Sequence, residues 1–186
     1  FDDGPDPETT PAVLECLRKF GARAVFFVVG NRIHRAPEML SQVVESGHWL
    51  GNHSYTHPLD RVLGFRAYID DLHRAQEIIY RHAGLRPHLH RPPLGTLNFA
   101  TLAASKKLGL KTMHWSRSSE DWRLRYETEP EKAAVARADE LAEEIQPRDI
   151  LLLHDEFRYT VVLLRQLLPQ LLDRGLRLNP GLDELD

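Results

Sequence analysis

The chain has 186 residues, 24 basic and 27 acidic side chains for a formal net charge of −3, 42% hydrophobic residues and one cysteine. A domain of this length buries roughly 70% of its unfolded surface, so a single domain over 1–186 can hold a core without staples, and a bound metal would serve chemistry rather than folding. Balanced charge without a basic block excludes nucleic-acid binding, and no apolar run approaches the ~20 residues of a membrane-spanning helix.

Phe1 reads as the tail of an apolar strand, so an upstream segment, with any targeting sequence, is expected before it. Thr10-Pro11 reads as an N-cap and first helical residue, followed at helical spacing by Val13, Leu14, Leu17 and Phe20 and stopped by Gly21. Cys16 fits that apolar periodicity as a small core residue. Ala24 to Val29 is continuously apolar, as a strand buried on both faces would be. Helices then follow over Pro37 to Ser46, Phe65 to Ala83, Asn98 to Leu108, Glu131 to Ile145 and Thr160 to Arg174. Strands alternate with them over His48 to Asn52, His88 to Arg91, Leu110 to Ser116, Ile150 to Leu153 and Leu176 to Leu178, with a polar connection reaching Pro130. Single helices between strands imply a parallel sheet of α/β class. About seven strands fit a (β/α) barrel one unit short of eight, and an open doubly wound sheet would give the same string.

In either architecture chemistry sits at the C-terminal strand ends, where five polar segments fall: Asp2-Asp3-Gly4-Pro5, His53 to His57, Arg91 to Gly95, Asp121-Trp122 and His154-Asp155. With ten His in the chain, about half an H-x-x-x-H pair is expected by chance, so its setting matters more than its spacing. Gly51 and Pro58 confine His53 and His57 to about one turn, pointing both rings the same way. Two imidazoles and one Asp form a ligand set for Zn²⁺, and equally for Co²⁺, Ni²⁺, Mn²⁺ or Fe²⁺. The Asp2-Asp3 pair supplies that carboxylate and one more, a division that suits a hydrolase. His154 follows a buried apolar strand; Arg91 precedes two prolines that stiffen its turn.

The five segments, in this order, resemble the polysaccharide deacetylase family with the NodB homology domain, the family-four carbohydrate esterases. Its pattern T-F-D-D-G-P, H-[ST]-x-x-H, R-x-P-x-G, D-x-x-D-W and L-x-H is met by Phe1 to Pro5, His53 to His57, Arg91 to Gly95, Asp121-Trp122 and Leu152 to His154. The resemblance implies a distorted (β/α)₇ barrel in which Asp3, His53 and His57 hold one divalent metal, usually zinc. It implies Asp2 as general base, Arg91 orienting Asp2, Asp121 tuning a charged neighbour, and His154 as general acid. Leu94 would give its backbone N–H to the oxyanion, Leu152 would line the acetyl pocket and Trp122 would contact substrate. Two positions depart from the pattern: Leu94 stands where an aromatic is common, and Ser118 stands at the first Asp of D-x-x-D-W. The implied reaction is hydrolytic deacetylation of an N-acetylated glycan such as chitin oligomers or peptidoglycan, in a secreted or cell-envelope setting. An O-acetyl esterase on xylan or an amidohydrolase on a small amide would use the same chemistry. A non-catalytic carbohydrate-binding relative is the alternative of another class, and it would need neither an acid nor a base.

Overall fold

A computed structural model describes residues 1–58 and 63–178. By their contacts they form two compact units, one of Asp2–Pro7 and Val25–His114, the other of Phe1, Glu8–Ala24 and the chain from Trp115 onward. Both are α/β with parallel strands, the class implied by strand–helix alternation.

In the first unit four strands, β1 (Val25–Val28), β2 (Trp49–Asn52), β3 (Leu89–His90) and β4 (Lys111–Thr112), form a parallel sheet in chain order. An order without reversal is that of a β/α-barrel segment; a doubly wound sheet would reverse at a switch point. The helices between them are α2 (Glu38–Glu45), α3 (Phe65–Ala83) and α4 (Phe99–Lys107). Every residue of β1 is buried, as its unbroken apolar run requires. Tyr68 and Leu72 of α3 pack against Ala104 of α4 and Leu110, and each of the two leucines contributes about 1.5–3 kcal/mol on burial. The first strand implied at Phe1 is reduced to one parallel bridge, Asp2 to Phe27.

In the second unit β5 (Arg117–Ser118) pairs with β6 (Leu151–Leu152), and α1 (Thr9–Lys19), α5 (Pro130–Glu144) and α6 (Arg158–Asp173) pack around Val13, Leu17, Leu141, Leu163, Leu164 and Leu167. Ala134 and Ala138, one turn apart and fully buried, let α5 and α6 approach closely.

Three expectations need correction. The strand expected from Leu110 to Ser116 is reduced to β4, and β5 starts only beyond it, at Arg117. Arg91 takes the carbonyls of Met113 and His114 between them, through Nε at 3.1 Å and Nη2 at 3.5 Å, so those oxygens serve a side chain rather than a ladder. Thr10 is not an N-cap: α1 begins at Thr9, and the Thr10 hydroxyl donates instead to Asp155 Oδ2 at 2.6 Å. Leu176 to Leu178 forms no strand, and the polar connection before Pro130 contains a 3₁₀ turn, Asp121–Tyr126.

A buried polar chain crosses the first unit. His90 of β3 contacts the Tyr68 hydroxyl at 3.0 Å through Nε2 and the Ser105 hydroxyl at 2.7 Å through Nδ1. Burial, with His53 nearby, pushes the His90 imidazole from its ordinary 6.5 down to about 3. Between those values the unfolded chain holds one more proton at this residue than the folded chain. His90 therefore contributes stability that is full above about pH 6.5 and falls by at most about 1.4 kcal/mol per pH unit toward pH 3. Urea unfolding across that window should show the decline, and His90→Gln should flatten it; an unchanged slope would assign the acid lability to other groups.

Candidate active site and metal centre

The tips of β1, β2 and β3 build the site. The Val29 N–H donates to the Gly4 carbonyl at 2.8 Å, and the Asp2–Phe27 bridge holds Asp2 and Asp3 beside the end of β1. Asp3 has φ +73° and its carbonyl accepts from Arg32 Nη1 at 2.6 Å, so the backbone reverses between two adjacent carboxylates. Asp2 is buried against Arg91, whose Nη1 donates to Asp2 Oδ1 at 2.7 Å. The guanidinium lies over the Phe27 ring, 4.2 Å from its centroid. Phe27 in turn requires Gly51: a Cβ there would come within 2.3 Å of the ring.

The two-histidine segment leaves β2 as an irregular turn with a specific scaffold, not as the helical turn that its spacing allowed. Asn52 Nδ2 donates to the Leu72 carbonyl at 3.0 Å, while Asn52 Oδ1 accepts the Ser54 N–H at 2.8 Å. Ser54 Oγ accepts the His57 N–H at 3.0 Å, and Asp71 Oδ2 on α3 accepts the N–H groups of Tyr55 at 2.8 Å and Thr56 at 3.3 Å. Ser54 and His57 have positive φ, +66° and +47°, strain that these bonds must hold.

His53 Nδ1 lies 2.7 Å from the Arg91 carbonyl. A carbonyl only accepts, so Nδ1 carries the proton and Nε2 the lone pair. Burial lowers the His53 pKa, with Asp2 and Asp3 opposing, and the neutral ring is the form that ligates. Its Nε2 is 3.5 Å from Asp3 Oδ1 and 3.7 Å from Asp2 Oδ2, while His57 Nε2 is 3.0 Å from Asp3 Oδ1. One donor atom each from Asp3, His53 and His57 lies within 4.8 Å of the other two. Two imidazole nitrogens and one carboxylate oxygen, one imidazole with its tautomer set by a backbone acceptor, fit a divalent cation with open coordination positions.

Next to Arg91, Pro93–Gly95 forms a 3₁₀ turn in which Leu94 is exposed with φ +56°. His114 Nε2 lies 3.2 Å from the Gly95 carbonyl, which ties that turn to the chain beyond β4.

The other unit carries a second constellation. Asp121, fully buried, accepts four bonds: His154 Nδ1 on Oδ1 and the His154 N–H on Oδ2, both at 2.7 Å, the Thr160 hydroxyl at 2.8 Å and the Trp122 N–H at 3.0 Å. Asp121 therefore fixes the orientation of the His154 ring, with the proton on Nδ1 and the lone pair on Nε2. The carbonyls of Ser118 and Ser119 accept from Arg137 of α5, at 3.3 and 3.1 Å. Leu152 of β6 is buried and Trp122 is partly exposed.

Asp2, Asp3, His53, His57 and Arg91 are thus brought together, as are Asp121 and His154. The sequence reading missed Asn52, Ser54, Asp71 and Thr160, which hold the others in place. One signal was available: Asp71 falls on the buried stripe of α3 beside Tyr68, Leu72 and Ala75, where an acid needs a reason.

Comparison with known proteins gives a consistent answer. The polysaccharide deacetylase family profile matches residues 1–113. The peptidoglycan-N-acetylmuramic acid deacetylase PdaC of Bacillus subtilis is 33% identical over 96% of this chain and 36% of its own length. This chain thus spans about a third of that relative. A chitooligosaccharide deacetylase of Bradyrhizobium is 33% identical over 97% of this chain and 86% of its own. The crystal structure of the polysaccharide deacetylase Bc1974 from Bacillus cereus superposes with a TM-score of 0.87 at 28% identity, covering 100% of this chain and 91% of that one.

If Asp71 holds the ligand segment, Asp71→Ala should weaken Zn²⁺ binding about 10- to 100-fold, and Asp71→Asn, which keeps an acceptor oxygen, should restore most of it. Titration calorimetry on the folded variants measures both; equal affinity in all three proteins would remove Asp71 from the metal site.

Proposed function

The chain belongs to the polysaccharide deacetylase family, and from that membership and the site's geometry we propose that it hydrolyses the N-acetyl group of a GlcNAc-containing glycan, such as peptidoglycan or chitin oligomers, to acetate and a free amine. The observation that carries the reading is the convergence of Asp3, His53 and His57 next to the buried Asp2–Arg91 pair. The relatives' names point to envelope polysaccharide, so a secreted or cell-envelope setting goes with the proposal.

Asp3 and the Nε2 atoms of His53 and His57 would hold one divalent cation, zinc first by ligand type. Bound there, it would supply Lewis acidity, polarising the acetyl carbonyl and lowering the pKa of water. The residues divide the remaining work. Arg91 occupies Asp2 Oδ1, which leaves Oδ2 to take the proton of the attacking water. Leu94, held in a left-handed conformation, offers its N–H to the oxyanion. His154, its Nδ1 proton on Asp121, gives the proton on Nε2 to the departing amine, and the Asp121 carboxylate stabilises the imidazolium from which that proton leaves. Leu152 and Trp122 are proposed to contact the acetyl methyl and the sugar.

Acetate release from a panel of N- and O-acetylated glycans, with metal removed and restored, tests the reaction. N-acetyl oligomers should be turned over only by the metal-loaded protein; ester-only activity would favour the esterase reading. Asp2→Asn should abolish turnover and keep metal, because Asp3 still ligates. His154→Ala should cost about 10²–10⁴ on an N-acetyl sugar and far less on an aryl acetate, whose leaving group needs no proton. Equal losses on both substrates would withdraw the acid assignment.

A further inference from the structure

A cleft of about 280 Å³ opens in the first unit, lined by His34, Tyr55, Arg74, Glu77, Ile78 and Arg81. Tyr55 belongs to the segment between His53 and His57, so the cleft shares a wall with the metal-ligand turn. That wall is rigid. The Tyr55 ring fills the space in which a Cβ on Gly30 would lie, 2.5 Å from Tyr55 Cδ2, and its backbone N–H is held by Asp71. The Arg74 guanidinium stacks on the ring, its carbon 3.6 Å from the centroid. An arginine stacked flat on an aromatic keeps its in-plane N–H donors for a planar oxyanion. The Tyr55 hydroxyl lies 3.4 Å from His34 Nε2 on the same wall of the cleft.

Charge around the cleft is not balanced. Arg74, Glu77, Ile78 and Arg81 share one face of α3, at i, i+3, i+4 and i+7. Glu77 is the residue that would ordinarily neutralise Arg81 one turn later, yet it is engaged elsewhere, with Arg86 Nη2 at 2.7 Å and His73 Nε2 at 3.8 Å. Among the described residues no carboxylate lies within ion-pair distance of Arg74 or Arg81. Two guanidinium groups without an ion-pair partner among the described residues therefore line the cleft, beside a Glu77 that Arg86 engages.

We propose that this cleft is a subsite for a carboxylate carried by the glycan, bound by Arg74 and Arg81 while an acetamido group of the same molecule occupies the metal centre. The assignment rests on the deacetylase reading, and it makes the preferred substrate an acidic glycan rather than a neutral one. A muramic acid unit, with its lactyl ether, carries such a group; a chitin oligomer carries none.

Calorimetric titration of the metal-loaded protein separates this subsite from catalysis. The probes are a neutral N-acetylglucosamine tetrasaccharide and a tetrasaccharide of alternating N-acetylglucosamine and N-acetylmuramic acid. The acidic sugar should bind about 10-fold tighter, Arg81→Gln should remove about 3- to 10-fold of that preference and Arg74→Gln with Arg81→Gln all of it, with the preference shrinking as salt is raised. The ratio of kcat/KM between the two sugars should fall in step, through KM. Equal affinity for the two sugars, or a preference that survives the double substitution, overturns the subsite. Inorganic phosphate is the control for a free anion: if it binds in an Arg81-dependent way without displacing the acidic sugar, the cleft belongs to small anions and the glycan assignment falls. If neither sugar is deacetylated but the acidic one still binds through Arg81, the subsite stands and the reaction assignment fails.

Discussion

The site depends on one buried ion pair, Arg91 with Asp2. Removing a guanidinium and a carboxylate from water costs several kcal/mol for each ion, so the pair survives only with close geometry and with its remaining hydrogen bonds made. Arg91 meets those conditions: Nη1 on Asp2, Nε and Nη2 on the carbonyls of Met113 and His114, and its face on Phe27. The same residue's carbonyl accepts the hydrogen bond from His53 Nδ1–H. One side chain and one peptide group thus orient a carboxylate and set the tautomer of a candidate metal ligand together. Substituting Arg91 would strand a buried anion and at the same time end β4 differently, because the carbonyls it binds are those that leave the sheet.

The two constellations share a design. In each, a buried charged group holds a side chain by one of its two polar atoms. Arg91 holds Oδ1 of Asp2, and Asp121 holds Nδ1 of His154. The partners are themselves saturated, Asp121 by Thr160 and two backbone N–H groups, so rotation of either functional side chain would break several bonds at once.

Backbone strain follows the same map. Among the described residues, Asp3, Ser54, His57, Leu94 and Glu120 have positive φ without being glycine, and each stands in or directly beside a functional motif; Arg148 is the one such residue elsewhere. Each costs of order 1–3 kcal/mol if held in a sparsely populated region; at Asp3, Ser54 and His57 hydrogen bonds from Arg32, to Asn52 and to Ser54 Oγ compensate. The Tyr55–Arg74 stack extends this rigidity outward, carrying the order of the ligand turn to the basic cleft.

Sequence alone determined the α/β class, because single helices between apolar strands leave few other topologies. It also picked out Asp2, Asp3, His53, His57 and Arg91, and separately Asp121 and His154, which the fold brings together within each unit, because five ordered motifs are far less accidental than any one of them. Helix positions were legible wherever the 3.6-residue period was strong, as over Phe65–Ala83. Tertiary structure alone decided where strands end, since the carbonyls after Thr112 go to an arginine more than twenty positions earlier. It alone placed Thr10 on Asp155 rather than at a helix cap, gave Asp121 to His154, and set Asn52, Ser54 and Asp71 under the ligand turn. Local propensity reports on neighbours a few residues apart. A hydrogen bond between groups tens of residues apart is a property of packing, and no spacing in the chain encodes it.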